Sequence, residues 1–424
     1  MLDLKQLQSD MQALDKGDEA SRRQAIHALK HHGEQDWAAA PVNVVNSLVR
    51  SLQNQLRSGV KQLSVRQEVA VVLGNLGPRS ETAIPQILEM MQEGVPDAIC
   101  ETAVIALGKI GKEAKAGVDQ LINLLASRRP SLVIQAVRAL GEIGCADQRV
   151  KTALGNLWLS APQSQKSQVQ VAIALCKLKI DARDLARYLT ATLMTNQDSA
   201  LRKAAIEGLA YCNKNEVDVV PALLAAAVHD KDETVRVVAE GGLKQLGLTH
   251  EKAIQLCAKQ LMVSAFAEAA LRHSGQPAVP ALTDALESDE STIREKAARI
   301  LGGFGELAVA AVPALTGLLR DKDLNVRLAV AKGLWHITKN ADVIIPVLAD
   351  LLDNKWTSAF EAGESRRRFI QTVMESLGRI GPPAKAAIPA LKNQTKDKNR
   401  LISECATAAL KEIAPVVVTK VGSR

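Results

Sequence analysis

Leu107-Gly108-Lys109-Ile110-Gly111 is one copy of a phrase that recurs along this chain of 424 residues. Each copy follows an Ala-rich stretch, and others read Leu73-Gly74-Asn75-Leu76-Gly77, Leu140-Gly141-Glu142-Ile143-Gly144 and Leu377-Gly378-Arg379-Ile380-Gly381. Aligning the ends of the phrases defines about twelve units, with a typical spacing of about 34 residues that accommodates two short helices. Such a unit cannot bury its apolar face alone, so the pattern predicts a solenoid of stacked repeats.

The ends of the helices are also marked. An aliphatic residue followed by Pro predicts the first turn of helix A, since Pro lacks only an amide hydrogen that would be unpaired there. These pairs are Ile84-Pro85, Val220-Pro221, Val279-Pro280, Val312-Pro313, Ile345-Pro346 and Ile388-Pro389. Glycines in a left-handed conformation are expected to close helix B at positions 77, 111, 144, 247, 275, 305 and 381. Acidic turns such as Asp230-Lys231-Asp232, Ser288-Asp289-Glu290-Ser291 and Asp321-Lys322-Asp323 are expected to cap the helix that follows.

This tandem pattern resembles the HEAT-repeat family, in particular the bacterial repeats also found in phycobilisome lyases, from about Ser21 to Ala414. The resemblance implies an all-α fold, an α-α superhelix of about twelve two-helix repeats. It also implies a structural role for an Arg near the start of helix B, which pairs with an acidic residue of a neighbouring turn. That position holds Arg22, Arg66, Arg202, Arg236, Arg294 and Arg327, and other residue types fill it in the remaining repeats.

We interpret residues 1–424 as one elongated domain with three special regions. Residues 1–60 form an N-terminal capping region, in which an amphipathic stretch at 42–56 predicts a long helix. Residues 353–365 are an insertion, and residues 382–424 form a basic C-terminal cap. Insertions in solenoids project from one edge, which makes 353–365 a candidate binding element.

Composition predicts a cytoplasmic protein without a membrane segment, because no apolar run is long enough to cross a bilayer and the N-terminus lacks a secretory core. Hydrophobic residues make up 47% of the chain and aromatic residues only 2%, which suits close helix packing through small side chains. The six cysteines form no short pair and are interpreted as packing residues. His27 and His31 share a helical face without an acidic or Cys ligand at matching spacing, so no metal site and no cofactor are predicted.

The net charge of +7 is concentrated at one end, since residues 360–424 contain twelve Lys and Arg against six Asp and Glu. This excess of positive charge has three possible explanations: it keeps the end of the solenoid soluble, it binds an acidic protein partner, or it binds nucleic acid. Binding along a duplex would require basic residues along the whole inner face, and the scarcity of aromatic residues disfavours stacking on single strands. A protein partner, with an acidic surface as one candidate, is therefore preferred to nucleic acid.

The candidate partner-binding site joins the insertion to the repeat before it. Trp335 occupies the helix position that is Gly74, Gly108, Gly141, Gly302 or Gly378 elsewhere, and a bulky ring cannot pack there as Gly does. Aromatic and Arg side chains are common at binding hot spots. The predicted site comprises Trp335, His336, Trp356, Phe360, Arg366, Arg367 and Arg368. Alternatively, Trp335 and Trp356 fill each other's gap and bind nothing.

No catalytic motif emerges from the sequence: no Gly-rich phosphate loop follows a strand, and no nucleophile lies in a recognisable elbow. The predicted function is a non-enzymatic protein-interaction scaffold or adaptor that binds through the inner face formed by the B helices. The alternative is a nucleic-acid-binding solenoid of the HEAT-like DNA glycosylase kind, which would place aromatic residues such as Trp158 and Trp335 in a basic groove.

Overall fold

The structure is a computed structural model that describes residues 3–57, 63–160, 164–180, 183–353 and 364–414. Within these ranges the regular secondary structure is entirely helical, which confirms the predicted all-α solenoid class. Of the helices in these ranges, none combines the length and apolarity that a bilayer crossing requires. The chain divides into two compact units between Val219 and Val220. The single elongated domain stays a prediction.

The first unit consists of short helices that alternate between the A and B positions of successive repeats. They are α1 (Leu4–Lys16), α2 (Glu19–Leu29), α3 (Glu34–Ala38), α4 (Val42–Arg57), α5 (Leu63–Asn75), α6 (Ile84–Glu89), α7 (Asp97–Ile110), α8 (Val118–Leu124), α9 (Pro130–Ile143), α10 (Gln148–Leu159), α11 (Gln165–Lys177), α12 (Arg183–Thr195) and α13 (Ser199–Leu209). The predicted long helix of the capping region is α4. Its apolar face is buried, including Val45, Leu48 and Leu52.

The second unit has the same alternation. Its helices are α14 (Val219–His229, which begins at the boundary), α15 (Glu233–Gln245), α16 (His250–Lys259), α17 (Ala267–Ser274), α18 (Val279–Ala285), α19 (Ser291–Gly303), α20 (Val312–Gly317), α21 (Leu324–Thr338), α22 (Ala341–Asp350), α23 (Glu364–Ile380), α24 (Ile388–Gln394) and α25 (Arg400–Ile413). Short 3-10 helices precede several A helices, at Gly77–Ala83, Gly111–Gly117, Gln276–Ala278, Gly305–Ala311 and Pro382–Ala387.

Within each unit the B helices stack on one another through small residues. In the first unit α5, α7, α9, α11 and α13 form one such row, and in the second unit α19 packs on α21 and α23 packs on α25. The repeat Gly makes this approach possible. A Cβ built on Gly108 would lie 3.1 Å from the Cα of Ala139 on the next B helix. The repeated phrase is therefore a packing signal between neighbouring repeats.

Most of the predicted helix ends are confirmed. All seven repeat glycines, at 77, 111, 144, 247, 275, 305 and 381, have positive φ. Asp232 accepts a hydrogen bond from the Thr234 amide at 2.8 Å, and Asp323 accepts one from the Asn325 amide at 2.8 Å. The prediction is wrong for the turn at residues 288–291, because no described side chain caps the start of α19; the Ser288 hydroxyl instead accepts a hydrogen bond from the Glu290 amide, before that helix, at 3.2 Å.

The prediction for Pro346 is wrong, because this Pro lies inside α22 and not in its first turn. Two neighbouring residues explain the earlier start. Lys339 ends α21 in a left-handed conformation with φ of 53°, and the Asn340 side chain then accepts a hydrogen bond from the Asp342 amide at 3.1 Å. This cap starts the helix at Ala341, before the Ile345-Pro346 signal is reached.

The Arg residues near the starts of B helices hold the turns between repeats. Arg294 forms two hydrogen bonds to the Asp321 carboxylate, at 2.8 and 2.9 Å, and Arg327 lies 3.5 Å from Asp350. Arg236 donates instead to the backbone carbonyl of Asp230 at 2.7 Å. The structural role implied for these residues is thus seen both as ion pairs between repeats and as bonds to turn carbonyls.

Candidate partner-binding groove

A groove of about 920 Å³ crosses three successive B helices of the second unit, α19, α21 and α23. The residues that line it include Gly302, Gly303 and Gly333 together with Leu328 and Phe369. An apolar lining with a few polar side chains is typical of binding sites. The groove therefore lies on the face formed by the B helices, which is the face predicted to bind a partner.

The groove opens where the repeat Gly is absent. On α19 that Gly is Gly302, and it allows contact with Gly333 of α21. The corresponding residue of α21 is Trp335, and the contact between α21 and α23 is much sparser than that between α19 and α21. The helix that carries an indole at this position is thus the one with the sparser contact to the next B helix.

Trp335 is half-buried, and its ring has a cation above it. The Lys339 ammonium lies 5.4 Å from the ring centroid, close enough for a cation–π interaction. His336, the next residue, lies in the groove wall and is exposed. Of these two residues it is His336 that lines the groove and can contact a bound molecule directly.

Basic groups outnumber acidic ones along the groove. Arg299, Lys332 and Arg368 line it, and among the described lining residues only Glu295 carries a carboxylate. In the described part of the chain, Lys332 forms no ion pair. Arg299 pairs with Glu268 at 2.9 Å, and Arg368 pairs with Glu364 of its own helix.

The positive electrostatic potential of the groove affects the pKa of His336. Partial burial lowers the pKa of its imidazole below the ordinary value, and the nearby charges of Lys339, Lys332 and Arg379 lower it further. Each of these cations disfavours a further positive charge in the groove. The same potential favours the binding of an anionic group.

The structure brings together only part of the predicted site. His336 and Arg368 line the same groove, beside Trp335. Arg366 instead lies 3.6 Å from Asp397, in the turn before α25, and Arg367 lies 3.5 Å from Glu364. Trp356 and Phe360 lie outside the described residues. The seven-residue site as a whole stays a prediction.

Sequence reasoning missed Arg299 and Lys332. A signal for them was available, since each lies three residues before the position of the repeat Gly, at 302 and 335 respectively. Three residues correspond to nearly one helical turn, so the two side chains occupy equivalent places on consecutive helices. For metal chemistry, the described ranges contain no group of three His, Cys, Asp or Glu side chains arranged as ligands.

Comparison with known proteins identifies repeats of the expected kind in this region. A family model described as HEAT repeats matches residues 279–367, which include α18 to α22 and the start of α23. No curated protein is significantly similar to the chain.

Several solved structures are similar at low sequence identity. An engineered protein is 17% identical, with 96% of this chain and 98% of that chain covered and a TM-score of 0.37. The karyopherin Kap121p bound to RanGTP is 12% identical, with 98% and 50% covered and a TM-score of 0.39. Kap95p, in a structure with RanGDP, is 13% identical, with 99% and 64% covered and a TM-score of 0.38. The chain spans about half the length of the Kap121p chain.

Proposed function

We propose that this chain is a non-enzymatic scaffold or adaptor that binds an acidic segment of a protein partner in the groove formed by α19, α21 and α23. The observation that carries the proposal is the groove itself, which has a volume of about 920 Å³ and is lined by apolar side chains together with Arg299, Lys332 and Arg368. Complementary charge steers a partner to such a surface and selects among partners.

The dimensions and chemistry of the groove suit an extended polypeptide. Three B helices contribute to it, so a bound segment would contact successive repeats, as binding surfaces of solenoids generally allow. Leu328 and Phe369 offer apolar contacts, while the cations at the rim fix the register of carboxylates. Acidic protein is favoured over nucleic acid because the net positive charge is concentrated in residues 360–424, whereas binding along a duplex would require basic residues along the whole inner face.

The test is a binding measurement with the full chain and a fluorescent Glu-rich peptide, with duplex DNA as the second ligand. Lys332→Glu reverses the charge of a groove residue that has no ion pair among the described residues, and it should weaken peptide binding about tenfold or more. Lys411→Glu makes the same change on the exposed side of α25 and should leave the affinity unchanged. Equal peptide binding by both variants, or tighter binding of DNA than of peptide, would contradict the proposal.

The finer features of the proposal rest on the sequence. The Leu-Gly-x-Ile-Gly phrases support repeats of the phycobilisome-lyase type, and with them a bacterial and cytoplasmic protein. Partners would then be sought first among the products of neighbouring genes. A gene neighbourhood without any candidate carrying an acidic segment would count against this part of the proposal.

A further inference from the structure

Two thiols lie against each other in the first unit. The Sγ atoms of Cys176 and Cys212 are 3.5 Å apart, and both cysteines are free. Cys176 belongs to the last turn of α11, and Cys212 follows the end of α13. All six cysteines lie within the described ranges, and all six are free there. The two residues are 36 apart in the sequence, so their meeting is a product of the fold.

The residues next to the two cysteines also connect α11 to α13 and to the segment that follows it. Lys177, next to Cys176, donates to Glu207 of α13 at 2.8 Å. The same ammonium lies 5.3 Å from the ring centroid of Tyr211, next to Cys212. The Lys177 side chain is 10% exposed and that of Glu207 is 46% exposed, so the ion pair lies at the solvent-facing edge of the contact between α11 and α13. The pair of thiols is therefore part of a fixed contact between consecutive B helices.

The two sulfur atoms are in van der Waals contact, from which a disulfide can form. A disulfide places its sulfurs about 2 Å apart, so these two must approach by about 1.5 Å, a distance that side-chain rotation can supply. Cys212 is the more accessible partner, at 6% exposed against 1% for Cys176. The hydrogen bond from the Cys176 thiol lowers the pKa of Cys212, whereas donating that bond, together with burial, raises the pKa of Cys176. Cys212 is thus the better nucleophile of the two.

We propose that Cys176 and Cys212 form a reversible disulfide, a modification site that responds to hydroperoxide. The Cys212 sulfur attacks a peroxide oxygen, so that an S–O bond forms, the O–O bond breaks and water leaves, with the thiol supplying one proton. The Cys176 sulfur then attacks the sulfenic sulfur, so that the S–S bond forms, the S–O bond breaks and a second water leaves. The two thiols lose two electrons in total, and the peroxide gains them.

The disulfide would tie α11 to the chain after α13 and so join two consecutive repeats covalently. A cross-link of this span restricts the unfolded chain, and it therefore stabilises the unit that contains it. The inference is independent of the groove and of its partner.

The experiment is peptide mapping of the full chain. Reduced protein is treated with hydrogen peroxide, blocked with N-ethylmaleimide in denaturant, and digested with trypsin without reductant. Cleavage after Lys166, Lys177, Lys203 and Lys214 releases the two cysteines on separate peptides, 167–177 and 204–214. We expect these peptides linked to each other, at a mass about 2 Da below their sum, and released by dithiothreitol. Recovery of both as maleimide adducts, as higher oxides or linked to other cysteines would overturn the proposal.

Two variants provide matched controls. Cys212→Ser should abolish the linked peptide, whereas Cys145→Ser should retain it. Oxidation should also raise the Tm of the unchanged protein by several degrees and leave that of Cys212→Ser unaltered. Absence of a rise in the unchanged protein would overturn the stabilising role. Mapping of the unchanged chain decides the proposal even when a variant fails to fold.

Discussion

Gly302 on α19 packs directly against Gly333 on α21. A Cβ built on Gly302 would lie 2.6 Å from the Cα of Gly333, closer than side-chain carbons approach a backbone. Because the obstacle is backbone and not the flexible end of a side chain, it cannot rotate away. The two glycines thereby set the distance between two B helices that line the candidate groove.

The first prediction concerns this contact. Gly302→Ala should destabilise the protein by about 2 kcal/mol, because the added methyl group forces the helices apart and this strain exceeds the gain in helix propensity. The measurement is urea unfolding followed by circular dichroism. Gly303→Ala is the matched control, since its Cβ would meet only the end of the Arg272 side chain, at 3.4 Å. A loss of stability in the control equal to that of Gly302→Ala would refute the explanation.

The second prediction compares two Arg–carboxylate pairs that both link consecutive repeats. The side chains of Arg294 and Asp321 are 7% and 5% exposed, whereas those of Arg299 and Glu268 are 49% and 27% exposed. Arg294→Ala should cost about 3 kcal/mol, because it leaves the Asp321 carboxylate buried without its cation. Arg299→Ala should cost less than about 1 kcal/mol. Urea unfolding of both variants measures the difference, and similar losses would contradict it.

The third prediction is the dependence of stability on pH. Burial alone would raise the pKa of Asp321, but the hydrogen bonds from Arg294 and from the Asp323 amide outweigh it and lower the pKa. A carboxyl with a lowered pKa stabilises the fold above its unfolded pKa of about 4, and this contribution is lost as the pH falls through the folded value. As the pH falls below about 4, the free energy of unfolding should therefore decrease less in Asp321→Asn than in the unchanged protein. Parallel acid unfolding curves for the two proteins would exclude this role.

The fourth prediction concerns His336 and rests on the proposed function. Because its pKa is lowered, the imidazole is neutral at pH 7 and gains its charge only below its ordinary pKa of about 6.5. An acidic ligand stabilises the charged form, so the affinity for a Glu-rich peptide should rise as the pH falls from about 6.5. His336→Gln should remove most of that rise and leave the affinity at pH 7.5 unchanged. Fluorescence anisotropy titrations at several pH values test this. If the affinity of the variant changes with pH as that of the unchanged protein does, protonation of His336 is not the cause of the rise.

The sequence predicted those parts of the fold that depend on local conformation. A repeat Gly such as Gly111 has φ of 75°, a conformation that Gly adopts without steric cost, so its position marks the end of the helix. The Pro signal failed at Pro346 because a competing local signal, the Asn340 cap, acts earlier in the chain. Where two start signals follow each other closely, the sequence pattern does not reveal which one the helix uses.

The groove was only partly predictable. His336 and Arg368 attracted attention as part of an unusual sequence segment, whereas Arg299 and Lys332 are ordinary residues of ordinary repeats. They become neighbours through the stacking of α19 on α21, which depends on the Gly302–Gly333 contact and is invisible in either helix alone. Arg366 shows the opposite error. It was predicted to belong to the site because it is part of a conspicuous run of three Arg residues, but its side chain pairs with Asp397 and does not line the groove.

The Arg294–Asp321 pair also bears on how a chain of this kind can change in length during evolution. The guanidinium is encoded in one repeat and its carboxylate in the next, and both are buried. A gene rearrangement that removed only one of these repeats would leave a charge stranded in the core, at a cost of several kcal/mol. These two repeats are therefore expected to be inherited, duplicated or lost together, even though each is a complete pair of helices.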